Sequence, residues 1–323
     1  MDQLDPINLK KADNKMPNTK TIAVIGAGLM GAGIAQVFAG KGLITKVYDP
    51  ASGSLETLHE RVSQNLELMQ VPLSCLKNII ACKTLAEAVC DADFIFEAAP
   101  EKLAIKQAIF NDVMPLAKDS AILASNTSVI PIRDIGEGLT HGGRLVGTHW
   151  WNPPYLVPLV EVVQSESTSL KSVEQTIALL EFVGKKPIHV KKDVTGFVAN
   201  RMQHALWREA IALINDGVCD AQTIDIAVKN SFGLRLPVLG PIENADLVGL
   251  DLTQDIHNVV LADLNSDSSP SKILVDKVVA GEHGMKTNHG FRSWTPEQAE
   301  SVKKNLIQYL VKVTATPLTH SDN

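Results

Sequence analysis

A short apolar run, Thr21–Ile25, ends in the turn Gly26-Ala27-Gly28-Leu29-Met30-Gly31, and Asp49 closes the next apolar stretch. No other feature constrains the fold of this chain as much. Gly26 permits a tight turn, Gly28 lets backbone approach a pyrophosphate, and Gly31 allows a helix to pack closely on the preceding strand. The first N–H groups of that helix, at Leu29 and Met30, have no intrahelical acceptor and present partial positive charge to phosphates. A tight turn without a ligand can carry the same glycines. Here, however, a strand precedes the turn, a helix follows it, and Asp49 lies 18 residues beyond Gly31, as a dinucleotide seat requires. Asp49 can accept hydrogen bonds from ribose hydroxyls and would repel a 2′-phosphate, so the expected cofactor is NAD rather than NADP.

Further apolar runs at Thr45–Tyr48, Asp93–Glu97, Ala121–Ser125, Arg144–Thr148 and Leu159–Val163 read as strands. Helix-like stretches, Leu29–Ala39, Ser54–Met69 and Lys102–Leu116, fall between them. This alternation predicts a mostly parallel sheet covered on both faces. After Lys192 the strand runs stop, and Val198–Asn215, Ala221–Asn230, Leu247–Leu264 and Pro296–Lys312 have helical periodicity. The fold class is therefore α/β, a Rossmann-like doubly wound sheet followed by an all-helical C-terminal domain. The expected division is a flexible N-terminal extension over 1–18, an NAD-binding domain over 19–197, and a helical substrate and dimerisation domain over 198–323.

Composition enters mainly through what it disfavours. A net charge of −6 speaks against a nucleic-acid partner. The apolar runs are too short for a membrane span, and the polar N-terminus lacks the apolar core of a signal peptide. Cys75, Cys82, Cys90 and Cys219 show no CxxC spacing and no clustering with histidine. They read as reduced thiols of a cytoplasmic protein, and no metal site is expected. There is no internal repeat.

The second informative element is His149, in Gly147-Thr148-His149-Trp150-Trp151-Asn152-Pro153-Pro154, with Glu161 in Leu159-Val160-Glu161-Val162-Val163. Two neighbouring strands joined by the Asn-Pro-Pro turn would bring the two side chains together. A carboxylate bonded to one imidazole nitrogen fixes the tautomer and leaves the other nitrogen to accept a proton. A structural histidine at a strand end with a buried glutamate is the competing reading of this pair alone.

The segments GAGLMGAGIAQ, ADFIFEAAPEKLAIKQAIF, LASNTSVIPI, GTHWWNPP, LVEVV, VKKDVTGFVANR and GMKTNHGF occur in this order. With them the chain resembles the 3-hydroxyacyl-CoA dehydrogenase family from Thr21 to about Tyr309. The resemblance implies His149 as general base, Glu161 as its orienting carboxylate, and Ser128 and Asn200 as holders of the reacting oxygen. Through Ser128, Glu101, Lys106, Asn152 and Lys286, it implies contacts to the cofactor beyond Gly26, Gly28, Leu29, Met30, Gly31 and Asp49. It also implies a homodimer, and an NAD-dependent oxidoreductase of the kind found in fatty-acid metabolism. Each residue has a plainer reading. Ser128 is also a helix N-cap candidate, Glu101 and Lys106 a solvated helix face, and Asn200 a satisfied polar residue at a domain junction.

The substrate is less constrained. Family members acting on acyl-CoA carry a long basic segment after the ribose-binding aspartate. In this chain Pro50–Lys77 offers only Arg61 and Lys77 against Glu56, Glu60 and Glu67. Trp150 and Trp151 stand where phenylalanines are usual in the family and, with Tyr155 and Trp207, would narrow a cleft or face a cation; alternatively they are core residues. Arg201, Arg208 and Arg235 are candidates for a substrate carboxylate. Similarities to carnitine and gulonate dehydrogenases within the family leave two substrates open, a 3-hydroxyacyl-CoA and a small free 3-hydroxy acid. A catalytically silent, crystallin-like NAD-binding protein is a third reading, which the four residues Ser128, His149, Glu161 and Asn200 together oppose.

Overall fold

Apolar residues stand side by side in the strands of the N-terminal half, so successive side chains enter two different cores. Ile22 and Val24 of the first strand pack with Ala32, Ala35 and Phe38 of the helix that follows. Ala23 and Ile25 pack with Phe110 and Val113 on the opposite face. This period of two, with both faces apolar, is what a sheet covered by helices on each side demands.

The computed structural model describes residues 21–140 and 142–315. The expected extension over 1–18 lies outside them. The described residues divide into two units, one running to Asn200 and taking in 309–315, the other Arg201–Gln308.

The first unit holds strands β1 (Thr21–Ile25), β2 (Ile44–Tyr48), β3 (Ile79–Ala81), β4 (Phe94–Glu97), β5 (Ile122–Ser125), β6 (Leu145–Trp150), β7 (Leu159–Val163) and β8 (Lys186–Val190). Their order in the sheet is β3-β2-β1-β4-β5-β6-β7-β8. Pairing is parallel from β3 to β6, antiparallel between β6 and β7, and parallel between β7 and β8. The helices between them are α1 (Leu29–Gly40), α2 (Ser52–Glu56), α3 (Leu58–Leu68), α4 (Leu85–Val89), α5 (Leu103–Val113), α6 (Ile132–Ile135) and α7 (Leu170–Phe182). Local signals set some of their ends: Thr84 and Glu87 form a capping box at α4, and the Ser169 hydroxyl accepts from the Ser172 N–H at α7.

Two strands go beyond those expected. β3 is only three residues long. β8 reads Lys-Pro-Ile-His-Val at the sheet edge, where Pro187 is tolerated because few ladder bonds are lost. The single helix expected over Ser54–Met69 is divided at Thr57, which is not helical.

In the second unit, α8 (Ala199–Asn215), which begins in the first, is followed by α9 (Ala221–Lys229), α10 (Phe232–Arg235), α11 (Pro241–Val248), α12 (Leu250–Val260), α13 (Lys272–Val279) and α14 (Pro296–Ala315). Asp220 caps α9 by accepting from the Thr223 N–H at 2.7 Å. The stretch Leu247–Leu264, expected as one helix, is broken by Gly249 with φ +104°. A left-handed residue of that kind ends one helix and starts the next. Among the described residues of this unit the only β pairing is a set of isolated bridges at Gly284, His289 and Ser293.

Candidate functional site

The strand order reverses direction at β1, which pairs with β2 on one side and β4 on the other. Ligands of open α/β sheets bind outside the carboxyl ends of the strands at such a switch point. The glycine turn lies there. Gly26 has φ +100°, and a Cβ on it would stand 2.7 Å from the Ala98 carbonyl oxygen after β4. A Cβ on Gly31 would stand 1.8 Å from the Gly26 carbonyl oxygen, so a side chain at Gly31 is incompatible with this turn. A Cβ on Gly28, in contrast, would meet nothing within 4 Å. The space beyond Gly28 is thus open, and α1 starts there with no side-chain cap on its N–H groups. Leu29 is exposed beside it. Open room in front of uncapped helix N–H groups fits a pyrophosphate.

Asp49 reaches this turn from β2. Its carboxylate accepts from the Ala27 N–H at 2.7 Å and, through its other oxygen, from the Ala51 N–H at 2.8 Å. Each oxygen keeps a lone pair for a ribose hydroxyl. Arg61, from α3, donates to the carbonyls of Ala27 and Ser54, both at 2.6 Å. One of the two basic residues of Pro50–Lys77 is therefore engaged with backbone at the turn.

At the same carboxyl edge, β6 and β7 place His149 directly opposite Glu161. His149 Nδ1 lies 2.7 Å from Glu161 Oε2, and both residues are buried. Oε1 of Glu161 accepts from the N–H groups of Val198 and Ala199 at 2.9 and 3.0 Å. Burial opposes ionisation of Glu161, but the bonds from His149 and these two amides outweigh it and hold the carboxyl below the usual glutamate range. An ionised carboxylate only accepts, so Nδ1 carries the proton and Nε2 is left as the basic nitrogen. Trp151 and Phe197 flank the imidazole, with ring centroids 5.3 and 5.8 Å away.

Ser128 and Asn200 also come together here. The Asn200 side-chain amide donates to the Ser128 carbonyl at 3.0 Å, while Glu101 accepts from the N–H groups of Ser128 and Val129 and from the Thr127 hydroxyl. Burial pushes the Glu101 carboxyl up, but these bonds and the Lys106 ammonium more than reverse it. Lys106 is not on a solvated face. It is fully buried, 2.8 Å from Glu97 and 3.4 Å from Glu101. Its ammonium braces Glu101 from within the fold. Glu97, which sequence reasoning did not single out, also accepts from the Ser125 hydroxyl and the Ala99 N–H. Its only signal in the sequence was a carboxylate at the end of an otherwise apolar strand.

Trp150, expected among the substrate contacts, is a core residue instead. It points to the face opposite His149, is 2% exposed, and packs edge-on against Phe38 and Phe96. Neighbours in a strand face opposite sides, so Thr148 and Trp150 both turn away from the side of His149. Trp151 stands beside His149, and Asn152 is exposed at the start of the following loop. Burial raises the Tyr155 phenol above its usual value.

The remaining candidates belong to the second unit. Arg201 and Lys286 are exposed there, as is Arg235 at the end of α10. Arg208 and Trp207 line a cavity of about 1270 Å³ within this unit, together with His204, Phe291, Arg292 and Trp294. Arg292 lies over the Trp294 ring and pairs with Asp225 at 3.0 Å. Among the described residues no cluster of His, Cys, Asp or Glu could hold a metal ion, and no helix is long and apolar enough to cross a membrane. All four cysteines are free thiols.

A dinucleotide seat and an oriented imidazole on one sheet edge are the equipment of an NAD-dependent dehydrogenase acting on CH–OH groups. Comparison with known proteins narrows this class. The model of the 3-hydroxyacyl-CoA dehydrogenase NAD-binding domain matches residues 21–194, and that of the 3-hydroxyacyl-CoA dehydrogenase C-terminal domain matches 196–294. The chain belongs to the 3-hydroxyacyl-CoA dehydrogenase family. It is 32% identical over 299 residues to 5-formyl-3-hydroxy-2-methylpyridine 4-carboxylate 5-dehydrogenase of Mesorhizobium japonicum, covering 91% of this chain and 97% of that one. It is 36% identical over 234 residues to L-carnitine dehydrogenase of Pseudomonas syringae pv. syringae, covering 71% and 74%. A crystal structure of the pyridine-carboxylic acid 5-dehydrogenase, described as an NAD+-dependent dismutase, superimposes with a TM-score of 0.86 at 33% identity, over 91% of this chain and 97% of that one.

Proposed function

We propose that this dehydrogenase oxidises the hydroxyl of a small free hydroxy acid to an oxo group, with His149 as base and Glu161 as its orienting partner. The observation that carries the reading is the 2.7 Å bond between His149 Nδ1 and an ionised Glu161. When bound, NAD supplies the hydride acceptor. Gly28, Leu29 and Met30 would hold its pyrophosphate, Asp49 its adenosine ribose, and Glu101 and Asn152 its nicotinamide half. His149 Nε2 accepts the hydroxyl proton, and Glu161 stabilises the imidazolium that forms. The Ser128 hydroxyl and Asn200 amide hold the substrate oxygen as charge develops on it, a preorganised electrostatic role.

Two features favour a free acid over a CoA ester. Pro50–Lys77 has few basic residues, and Arg61 is engaged with the Ala27 and Ser54 carbonyls rather than facing outward for phosphates. The relatives named above act on carnitine and on a pyridine carboxylate by their names. Trp151, beside His149, is the residue proposed to select the substrate. The second reading, a 3-hydroxyacyl-CoA, rests on the family itself. NADH formation across L-carnitine, L-gulonate, free 3-hydroxybutyrate and 3-hydroxybutyryl-CoA tests both. Turnover of a free acid alone supports the first, and preference for the CoA ester overturns it.

The helical unit is proposed to join a second copy of this chain. Of its residues only Ala299 is buried, while Leu234, Ile242, Leu247 and Val279 are each more than 70% exposed. So large an apolar surface marks an association site. Light scattering should give a dimer, and a monomer at micromolar concentration would contradict it.

A further inference from the structure

Lys185 follows α7 and precedes β8, and it is a buried lysine whose amine is bonded to backbone carbonyls. Its ammonium nitrogen donates to the Pro154 carbonyl and, at 2.9 Å, to the Val157 carbonyl, and lies 5.5 Å from the centre of the Trp150 ring. Both carbonyls belong to the loop that leaves β6 at Trp150 and enters β7 at Leu159. Within that loop the N–H groups of Leu156 and Val157 both turn back onto the Pro153 carbonyl. The carbonyls of Pro154 and Val157 are met by the Lys185 side chain.

The same loop is pinned from a second side. A Cβ on Gly33, in the nucleotide-binding helix α1, would stand 2.9 Å from the Pro154 ring, so Pro154 is seated against that helix. Asn152, at the head of the loop, is exposed at the carboxyl edge, three residues from His149. A buried polar group that must bond to something restricts what its partners can do. We propose that Lys185 is a positioning residue for NAD, fixing the Asn152–Val157 loop so that Asn152 meets the nicotinamide half of the cofactor.

The inference rests on the reading of Asn152 as a cofactor contact. The groups facing the amine are the Trp150 ring of β6 and the two loop carbonyls; Tyr155 in the loop stays neutral because burial raises its phenol. Lys41, at the end of α1, approaches neighbouring Gly184 with its side chain. Burial is the sole cause acting on the Lys185 amine, which is lowered to about 8. Charged or neutral, the nitrogen has enough N–H groups for both carbonyls, so the positioning does not depend on its protonation.

The test is a double-mutant cycle on the full chain, reading Kd for NAD+ and for adenosine diphosphate ribose, which lacks the nicotinamide. Lys185→Met, which fills the space without donating, should raise Kd for NAD+ about tenfold. It should leave adenosine diphosphate ribose within about twofold, and add nothing in the Asn152→Ala background. If the Met protein does not fold, Lys185→Gln, too short to reach both carbonyls, carries the same cycle. Unchanged NAD+ affinity, an equal loss for adenosine diphosphate ribose, or full additivity with Asn152→Ala overturns the inference while leaving the Asn152 contact standing. An Asn152→Ala protein that binds NAD+ normally removes the contact, and the inference with it.

Discussion

His149 and Glu161 face each other as a register pair across the antiparallel β6–β7 ladder, with Nδ1 and Oε2 2.7 Å apart. Because they are direct partners in the ladder, one strand pairing sets their distance. The second Glu161 oxygen is held by the amides of Val198 and Ala199, where α8 begins. The carboxylate is thus fixed from both sides, and the imidazole inherits its orientation.

That clamp makes Glu161→Gln informative. A glutamine must point its NH2 group either at the His149 Nδ1–H or at the two backbone N–H groups, so one bond is lost to donor facing donor. Turnover should fall by ~10²-fold or more and the melting temperature should drop, because a buried partner is left unsatisfied. Steady-state kinetics and thermal unfolding of the purified variant check both.

Acid sensitivity follows from the same geometry. Glu161 and Glu101 are both held below their unfolded value of 4.5. A carboxyl depressed in the folded state contributes stability above its unfolded value, and that contribution disappears as pH falls through the folded value. Unfolding free energy should therefore decline from about pH 4.5 downward. Urea titrations between pH 6 and 3 should show a shallower decline for Glu101→Gln than for wild type.

The glycine turn separates binding from folding. Gly28→Ala enters open space at a φ of −67°, so the protein should fold normally yet lose NAD affinity where the methyl meets the pyrophosphate. Gly31→Ala would press on the Gly26 carbonyl at 1.8 Å and should fail to fold or melt far earlier. Calorimetry with NAD+ and circular dichroism distinguish the two. Equal destabilisation would contradict the account of the turn.

Lys185 gives stability a pH dependence of the same sign, rising with pH, in the alkaline range. Its folded value of about 8 lies below the 10.5 of a free lysine. Keeping the amine protonated in the fold costs stability in full below about pH 8, and that cost is relieved as pH rises toward 10.5. Relative to Lys185→Met, the wild-type protein should gain on the order of 3 kcal/mol across that window, measured by urea unfolding. A flat difference between the two proteins would contradict the buried state of the amine.

Much of this was legible in the residues because local rules and tertiary demands agreed. The turn at Gly26–Gly31 with Asp49 gave its own geometric context, and His149 and Glu161 lay in two apolar runs joined by a proline turn. The structure departs where one strand residue decides a face. Trp150 and His149 are neighbours, so one of them had to enter the core, and periodicity without a known register does not say which. Lys106 reads as surface because lysine is rarely buried without a partner, and its partner Glu97 lies nine residues back on a strand rather than on its own helix. The edge strand β8 is hidden by Lys186, Pro187 and His189. Lys185 gave no sign at all, since backbone carbonyls leave no mark in a sequence.

The central claim is that His149 takes the substrate proton. The most direct test is the rate of NADH formation by His149→Gln, with any substrate the wild-type protein oxidises, alongside calorimetric NAD+ binding. The account predicts turnover lower by ~10²–10⁴-fold with NAD+ affinity unchanged within about twofold. Turnover near wild type would show that another group accepts the proton and that the His149–Glu161 pair is structural.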